Sequence, residues 1–197
     1  MSNCPPGSVY HTLALMRGVW HDHVQISQFD GTPMAHDLHG GTPGSAPYEN
    51  LVYVDFDGVL YRQTNVTFKG RPLHARSFTA RLVDGVLHFD TLGPNDPIHI
   101  GVSGGPRCVI FCPKAMTEAW QRYNEPDWIY LPDDDHRMRV TVLYRHAIGV
   151  RTLRADGVRL AADAGRRMAW DPRGADGEVH QARSVTTVYI SDDGKNQ

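Results

Sequence analysis

The sequence GVWHDHV at residues 18–24 is the stretch from which the fold can be inferred. Alternation along a β-strand would place Trp20 on one face and both His21 and His23 on the other. The two histidine Cα atoms would stand about 7 Å apart, which permits a shared zinc ion if other segments supply further ligands. Because the tryptophan face is expected to turn inward, we predict that both histidines face solvent.

The composition is typical of one globular domain. The 197 residues are 41% hydrophobic and 21% charged, and 19 glycines and 13 prolines favour many turns. We assign residues 1–191 to a single domain and residues 192–197 to a flexible tail. A formal charge of −2 gives no basic surface for nucleic acid or an anionic membrane, so neither is an expected partner.

Targeting signals and cysteine pairs are not evident in the sequence. The N-terminal residues lack a secretory pattern and no long apolar run occurs, so we expect a cytoplasmic protein, monomeric or homodimeric, without a membrane span. A strand would hold Cys108 and Cys112 about 13 Å apart, too far for a disulfide, so we expect reduced thiols.

Asp-Gly dipeptides divide most of the chain into hairpins. They occur at residues 30–31, 57–58, 84–85, 156–157 and 176–177, with a further copy in the tail, and strand-length apolar runs lie between them. Helix signals are confined to residues 8–18, with Ser8 as N-cap and Gly18 as stop, and to residues 113–123. The pattern predicts an antiparallel meander of about 9–11 strands, which must stack as two sheets or close on itself to protect its edges.

A short helix running into Gly18-x-Trp20 on the first strand, followed by a hairpin meander, resembles the calycin superfamily of lipocalin-like and fatty-acid-binding barrels. It also resembles bacterial lipocalin-like domains with an acidic-Gly first turn. The resemblance implies an all-β barrel with a short N-terminal helix and one short helical or lid segment. It further implies that Trp20 closes the barrel bottom under a late-strand arginine, for which Arg183 is the candidate.

One strand suggests the chemistry of the barrel interior. In residues 137–148 the apolar residues and Tyr144 and His146 alternate with arginines and a threonine, so one face is expected to be core and the other wet. An imidazole can exchange a proton near neutral pH and a phenol can donate to a carbonyl. We therefore take His146 and Tyr144 as candidate catalytic residues, with a satisfied core pair as the alternative.

A second group lies on the neighbouring predicted strands. His74 and Arg76 share a face with apolar residues, and His88 follows on the next strand. A guanidinium among apolar neighbours suits a carboxylate or enolate oxygen. Arg76 is the third candidate catalytic residue and His74 and His88 are candidate ligand contacts. A shift of one residue in register would turn all of them to solvent.

The segment at residues 121–132 differs from the simple hairpins around it. We interpret it as a lid or mouth loop in which Tyr123 and Trp128 stack on a ligand while Glu125 or Asp127 acts as a base, because such loops often carry function. The alternative is a purely structural closure of the barrel end.

Three functions remain open on the sequence alone, and the third is an assembly or interaction factor whose barrel is simply packed. No known zinc, phosphate-loop, dinucleotide or serine-hydrolase motif is present, so we expect neither metal nor cofactor. The polar residues on the presumed inner faces favour a cofactor-independent isomerase, cyclase or lyase acting on a small, largely apolar molecule. The alternative is a carrier or sensor for a lipid, a pigment or haem, and fold analogy does not decide between them.

Overall fold

The structure is a computed structural model that describes residues 5–33, 47–69, 74–90, 99–114, 123–146 and 148–161. These residues form one helix and eleven strands. In chain order they are α1 (Val9–Met16), β1 (Gly18–Ser27), β2 (Tyr48–Phe56), β3 (Leu60–Lys69), β4 (His74–Val83), β5 (Val86–Phe89), β6 (His99–Gly105), β7 (Cys108–Pro113), β8 (Tyr123–Asn124), β9 (Asp127–Tyr130), β10 (His136–Arg145) and β11 (Ile148–Leu160).

Ten of these strands close into one antiparallel barrel. The sheet runs from β1 through β7 in chain order, continues through β9 and β10 to β11, and β11 pairs back with β1. The short β8 pairs only with the end of β10. Closure leaves no long open edge among the described strands, as a sheet of this size requires. The predicted all-β barrel of about 9–11 strands is confirmed.

Helix α1, which the sequence predicted, closes one end of the barrel. The Ser8 side chain accepts a hydrogen bond from the backbone N–H of His11 at 3.2 Å, which caps the helix. The helix ends before Gly18, whose φ of +128° is readily available only to glycine. Val9, Leu13 and Met16 are buried beneath the strands. No helix among the described residues is long and apolar enough to cross a bilayer.

Trp20 links this helix to the strands. Its Nε1 donates to the carbonyl of Met16 at 2.8 Å, and the residue is fully buried. The guanidinium of Arg159 lies 4.2 Å from the ring centroid and also donates to the carbonyls of Leu15 and Asp134, both at 2.6 Å. Arg159 therefore makes the contact across Trp20 that the resemblance implies, whereas the candidate Arg183 lies outside the described residues.

The inward side of each strand is the side that faces the same way as Trp20 on β1. The floor cluster packs against α1 and comprises Val9, Leu13, Met16, Trp20, Val52, Val54, Phe56, Tyr61, Ala80, Leu87, Val109, Phe111, Ile129 and Leu131. The apolar band lies further from α1 along β1 and comprises Val24, Ile26, Tyr48, Leu153 and Ala155. Asp22 is the inward residue between these two groups on β1, so a buried charge separates them.

The expected orientation of β10 is wrong. Arg137 and Thr141 are buried on the inward face, whereas Val140 is 40% exposed on the outer face. Arg139 pairs with Ala155, which in turn pairs with Val24, so the register places the arginines on the same side as the interior of β1. The alternation was correct, but hydrophobicity did not indicate the inner face because the buried arginines have carboxylate partners inside the barrel.

The sequence also placed one turn incorrectly. Gly157 lies within β11 opposite Asp22 and Arg137, and an added Cβ would collide with both of their side chains. A glycine at this position is thus required by close packing and does not mark a hairpin turn. Asp84 and Gly85 both have positive φ, as a hairpin turn requires. The predicted 176–177 turn and residues 115–122 of the second predicted helix lie outside the described residues, and Pro113 ends β7.

Removing the Asp22 charge should destabilise the barrel strongly. Asp22→Asn leaves the Arg137 guanidinium buried without its anion, so we expect a loss of about 3–5 kcal/mol in the free energy of unfolding, measured with urea. Asp156→Asn removes a carboxylate paired with Arg154 on the exposed surface and should cost at most about 0.5 kcal/mol. Equal losses in the two variants would contradict the assigned role of the buried pair.

Candidate functional site

A group of polar side chains occupies the barrel interior above the floor cluster. We call the inward-facing residues Asp22, Gln63, Asn65, Asp127, Arg137 and Arg139, together with the Tyr61 hydroxyl, the polar cluster. The register of β1, β3, β9 and β10 turns all of them to the same side as Trp20. Polar groups inside an otherwise apolar barrel must satisfy one another or a ligand.

Asp22 and Arg137 form the most deeply buried ion pair of the cluster. Arg137 Nε donates to Asp22 Oδ1 at 3.0 Å and Nη2 donates to Oδ2 at 2.5 Å, while both side chains are 3% exposed. The guanidinium carbon also lies 5.2 Å from the Trp20 ring centroid. This bidentate arrangement uses both carboxylate oxygens and fixes the arginine in one orientation.

Arg139 and Asp127 form a second bidentate pair across β10 and β9. Arg139 Nε lies 2.7 Å from Asp127 Oδ1 and Nη2 lies 3.0 Å from Oδ2. Burial alone would lower the pKa of Arg139, but the negative charges of Asp127 and Glu125 outweigh it and raise this pKa. The arginine therefore stays charged inside the barrel, close to two carboxylates.

Tyr61 joins the floor cluster to the polar cluster. Its ring is fully buried, and its hydroxyl donates to Gln63 Oε1, while Gln63 Nε2 donates to Asn65 Oδ1 at 2.8 Å. Burial raises the pKa of Tyr61. The nearby charges of Arg137, Asp127 and Arg139 also shift this pKa, but by less than burial does. The phenol therefore keeps its proton at neutral pH and remains a hydrogen-bond donor.

The interior beside these residues is open to solvent. Gln63, Asn65, Arg76 and Phe78 point inward from β3 and β4 yet are only partly buried. An inward side chain of a filled barrel would be buried on all sides, as Trp20 is. The part of the interior lined by β3 and β4 is therefore accessible, whereas the floor beneath it is packed.

One of the three predicted catalytic residues faces this space. Arg76 pairs with Asn65 on β3, and its guanidinium carbon lies 5.0 Å from the Phe78 ring centroid. His74 pairs with Thr67 on β3 at the start of the same strand. The sequence left the register of this strand open, and the pairing with β3 places Arg76 inward.

The structure places the other predicted catalytic residues elsewhere. Tyr144 lies on the outer face of β10, beyond a register shift after Leu143. His146 is exposed in the turn before β11 with a φ of +51°. His88 also points outward, because its neighbours Leu87 and Phe89 occupy the inward positions of β5. None of these three residues is near the polar cluster.

The predicted lid segment forms part of the barrel wall. Asp127 belongs to the polar cluster, and the negative charge of Glu125 helps to raise the pKa of Arg139. Trp128 lies on the outer face and is 58% exposed, opposite Val140. Tyr123 pairs with Arg145 at the end of β10. The two carboxylates predicted here are thus near the interior, while the tryptophan is not.

Several interior residues were missed by the sequence analysis. Tyr61, Gln63 and Asn65 alternate along β3 in the run LYRQTNVTF, which was noted only as a strand. Alternation of Tyr, Gln and Asn at every second position was the available signal. Among the described residues no three His, Cys, Asp or Glu side chains come together to hold a metal ion. His21 faces outward and bonds Glu49 at 2.8 Å.

Comparisons with known proteins agree with the fold. No family model and no curated protein matches the chain. Among solved structures, the chain is similar to a DUF3598-family protein of unknown function from Nostoc punctiforme, with 15% identity and a TM-score of 0.55 over 75% of this chain and 49% of that one. It thus spans about half the length of that protein.

A second solved structure is similar over nearly its whole length. It is the S-type phycobiliprotein lyase CPES from Guillardia theta, with 12% identity and a TM-score of 0.56 over 78% of this chain and 93% of that one. At such low identities both comparisons establish a shared architecture and nothing finer. The chain therefore has a barrel architecture similar to that of these two proteins, in keeping with the fold that the G-x-W strand led us to expect.

Proposed function

We propose that the barrel binds a small organic molecule in its interior. The observation that carries this proposal is the group of inward side chains on β3 and β4 that remain partly exposed above a packed floor. Small barrels leave room for about one such ligand. The combination of an apolar wall with a few fixed polar groups is typical of ligand pockets.

The polar cluster indicates which ligand groups the pocket would recognise. The amides of Gln63 and Asn65 offer both donors and acceptors, and the Tyr61 hydroxyl can donate to a ligand carbonyl that takes the place of Gln63 Oε1. Arg76 lies on the same wall with its guanidinium over Phe78. A flat, conjugated molecule with carbonyl or N–H groups complements this surface, and the similarity to a phycobiliprotein lyase supports a pigment-like ligand.

A bulky inward side chain should close the pocket. Asn65→Trp would fill the partly exposed space, so we expect binding of the uncharged dye N-phenylnaphthylamine to fall at least about tenfold, measured by fluorescence titration. Arg81→Trp places the same ring on the outer face of β4, where Arg81 is exposed, and should leave the affinity unchanged. Equal affinities of both variants and the wild type would contradict an interior site.

The second candidate function is a rearrangement of the bound molecule without cofactor, as an isomerase, cyclase or lyase. The buried Tyr61 phenol, whose pKa is raised by burial, favours this possibility. A neutral phenol on the packed floor of the pocket can donate a hydrogen bond to a carbonyl and stabilise negative charge that develops on its oxygen. In this proposal Tyr61 and Arg76 polarise oxygen, and Glu125 is the candidate base because Asp127 is held in the pair with Arg139.

Tyr61 can be tested with a ligand that reports its own hydrogen bonding. The emission of the ketone dye prodan shifts to longer wavelength when its carbonyl accepts a hydrogen bond. We expect Tyr61→Phe to shift the emission of bound prodan to shorter wavelength and to weaken binding about fivefold. Tyr144→Phe, on the outer face, should change neither quantity.

Comparison of Tyr144→Phe with Tyr61→Phe shows which of the two hydroxyls donates to the bound dye. A shift in Tyr144→Phe without one in Tyr61→Phe would remove Tyr61 from the proposed site. His146→Ala serves as a further control because this side chain is exposed in the β10–β11 turn. Loss of prodan binding in that variant would contradict the position of the pocket.

A further inference from the structure

Arg151 lies at the opposite end of the interior from the floor. It precedes Leu153 and Ala155 on the inward face of β11, and its cross-strand neighbour on β10 is Leu143. Eight residues separate it from Arg159 beside Trp20, a distance of about 26 Å along the strand. Along this strand the apolar band therefore lies between Arg151 and the level of the polar cluster.

Arg151 differs from the other inward arginines of β10 and β11. Its side chain is buried, with the residue 4% exposed, and Nη2 makes no hydrogen bond. Arg137 Nη1 also makes no hydrogen bond, but Arg137 and Arg139 each hold a carboxylate, and Arg159 donates to backbone carbonyls. Within the part of the chain that the structure describes, no carboxylate forms an ion pair with Arg151.

A buried cation without an anion is unfavourable. Burial lowers the pKa of Arg151 to about 10, and no negative charge among the described residues offsets this effect. The guanidinium still carries its charge at neutral pH. A donor in this state gains more from an incoming anion than an exposed arginine would, because its hydration has already been lost.

We propose that the ligand of the barrel is an organic anion with an apolar body, and that Nη2 of Arg151 binds its acidic group. This proposal rests on the interior site proposed above and specifies the chemical class of its ligand. The apolar body would lie against the apolar band, where Ile26 and Leu153 are buried beside Arg151. The far end of the molecule would then approach the polar cluster.

Two dyes with the same aromatic body test this assignment. Anilinonaphthalene sulfonate carries an anionic group, and N-phenylnaphthylamine lacks it. We expect the wild type to bind the sulfonate with one-to-one stoichiometry, and Arg151→Gln to weaken that binding about tenfold or more. The same variant should change the affinity for the uncharged dye less than about twofold. Arg154→Gln removes an exposed outward arginine three residues further along β11 and should change the affinity for either dye less than about twofold.

The outcomes separate the two proposals. Binding of both dyes with no selective loss in Arg151→Gln would overturn the role of Arg151 and leave the interior site in place. Binding of neither dye to the wild type would overturn both. Equal weakening by Arg151→Gln and Arg154→Gln would show a general charge effect and would also overturn the assignment.

A measurement on the wild type keeps the proposal falsifiable if Arg151→Gln does not fold. Octanoate and octanol share an apolar chain and differ in the acidic group. We expect octanoate to displace bound N-phenylnaphthylamine at concentrations at least about tenfold lower than octanol does. Equal potency of the two competitors would overturn the inference that the site selects an anion.

Discussion

The buried ion pair between Asp22 and Arg137 is the interaction on which the rest of the barrel depends. It joins β1 to β10 across β11, at the seam where the beginning of the described barrel meets its end. Gly157 lies between the two side chains because any Cβ there would collide with them. Such a pair adds little net stability compared with apolar residues, but leaving one partner alone is costly, so it favours a single register at the seam.

The same register determines the chemistry of the interior. With Asp22 and Trp20 facing inward, β10 must direct Arg137 and Arg139 inward as well, and its valines face outward. The barrel consequently has a packed apolar floor, a charged and hydrogen-bonded middle, and an apolar band leading to Arg151. An interior with this order of surfaces suits an elongated molecule with distinct ends better than a uniformly apolar lipid tail.

The architecture could be predicted from sequence because it depends on local signals. The Ser8 cap, the inward Trp20 and the glycine turns each specify backbone geometry within a few residues. The interior site could not be predicted as well, because the inward face of a strand is decided by distant partners. Hydrophobic alternation assigned the valine face of β10 to the core. The opposite face lies inside, because carboxylates on β1 and β9 pair with its arginines. Tyr61 was missed for a related reason, since its environment is assembled from strands that are distant in the sequence.

A crystal structure of the protein soaked with prodan would test the central claim most directly. The account predicts electron density for the dye inside the barrel, between the β3 and β4 wall and the Arg139 pair, with its carbonyl within hydrogen-bond distance of Tyr61. Density confined to the outer face, for example beside the exposed Trp128, would contradict it. So would an interior found to be completely filled by protein side chains.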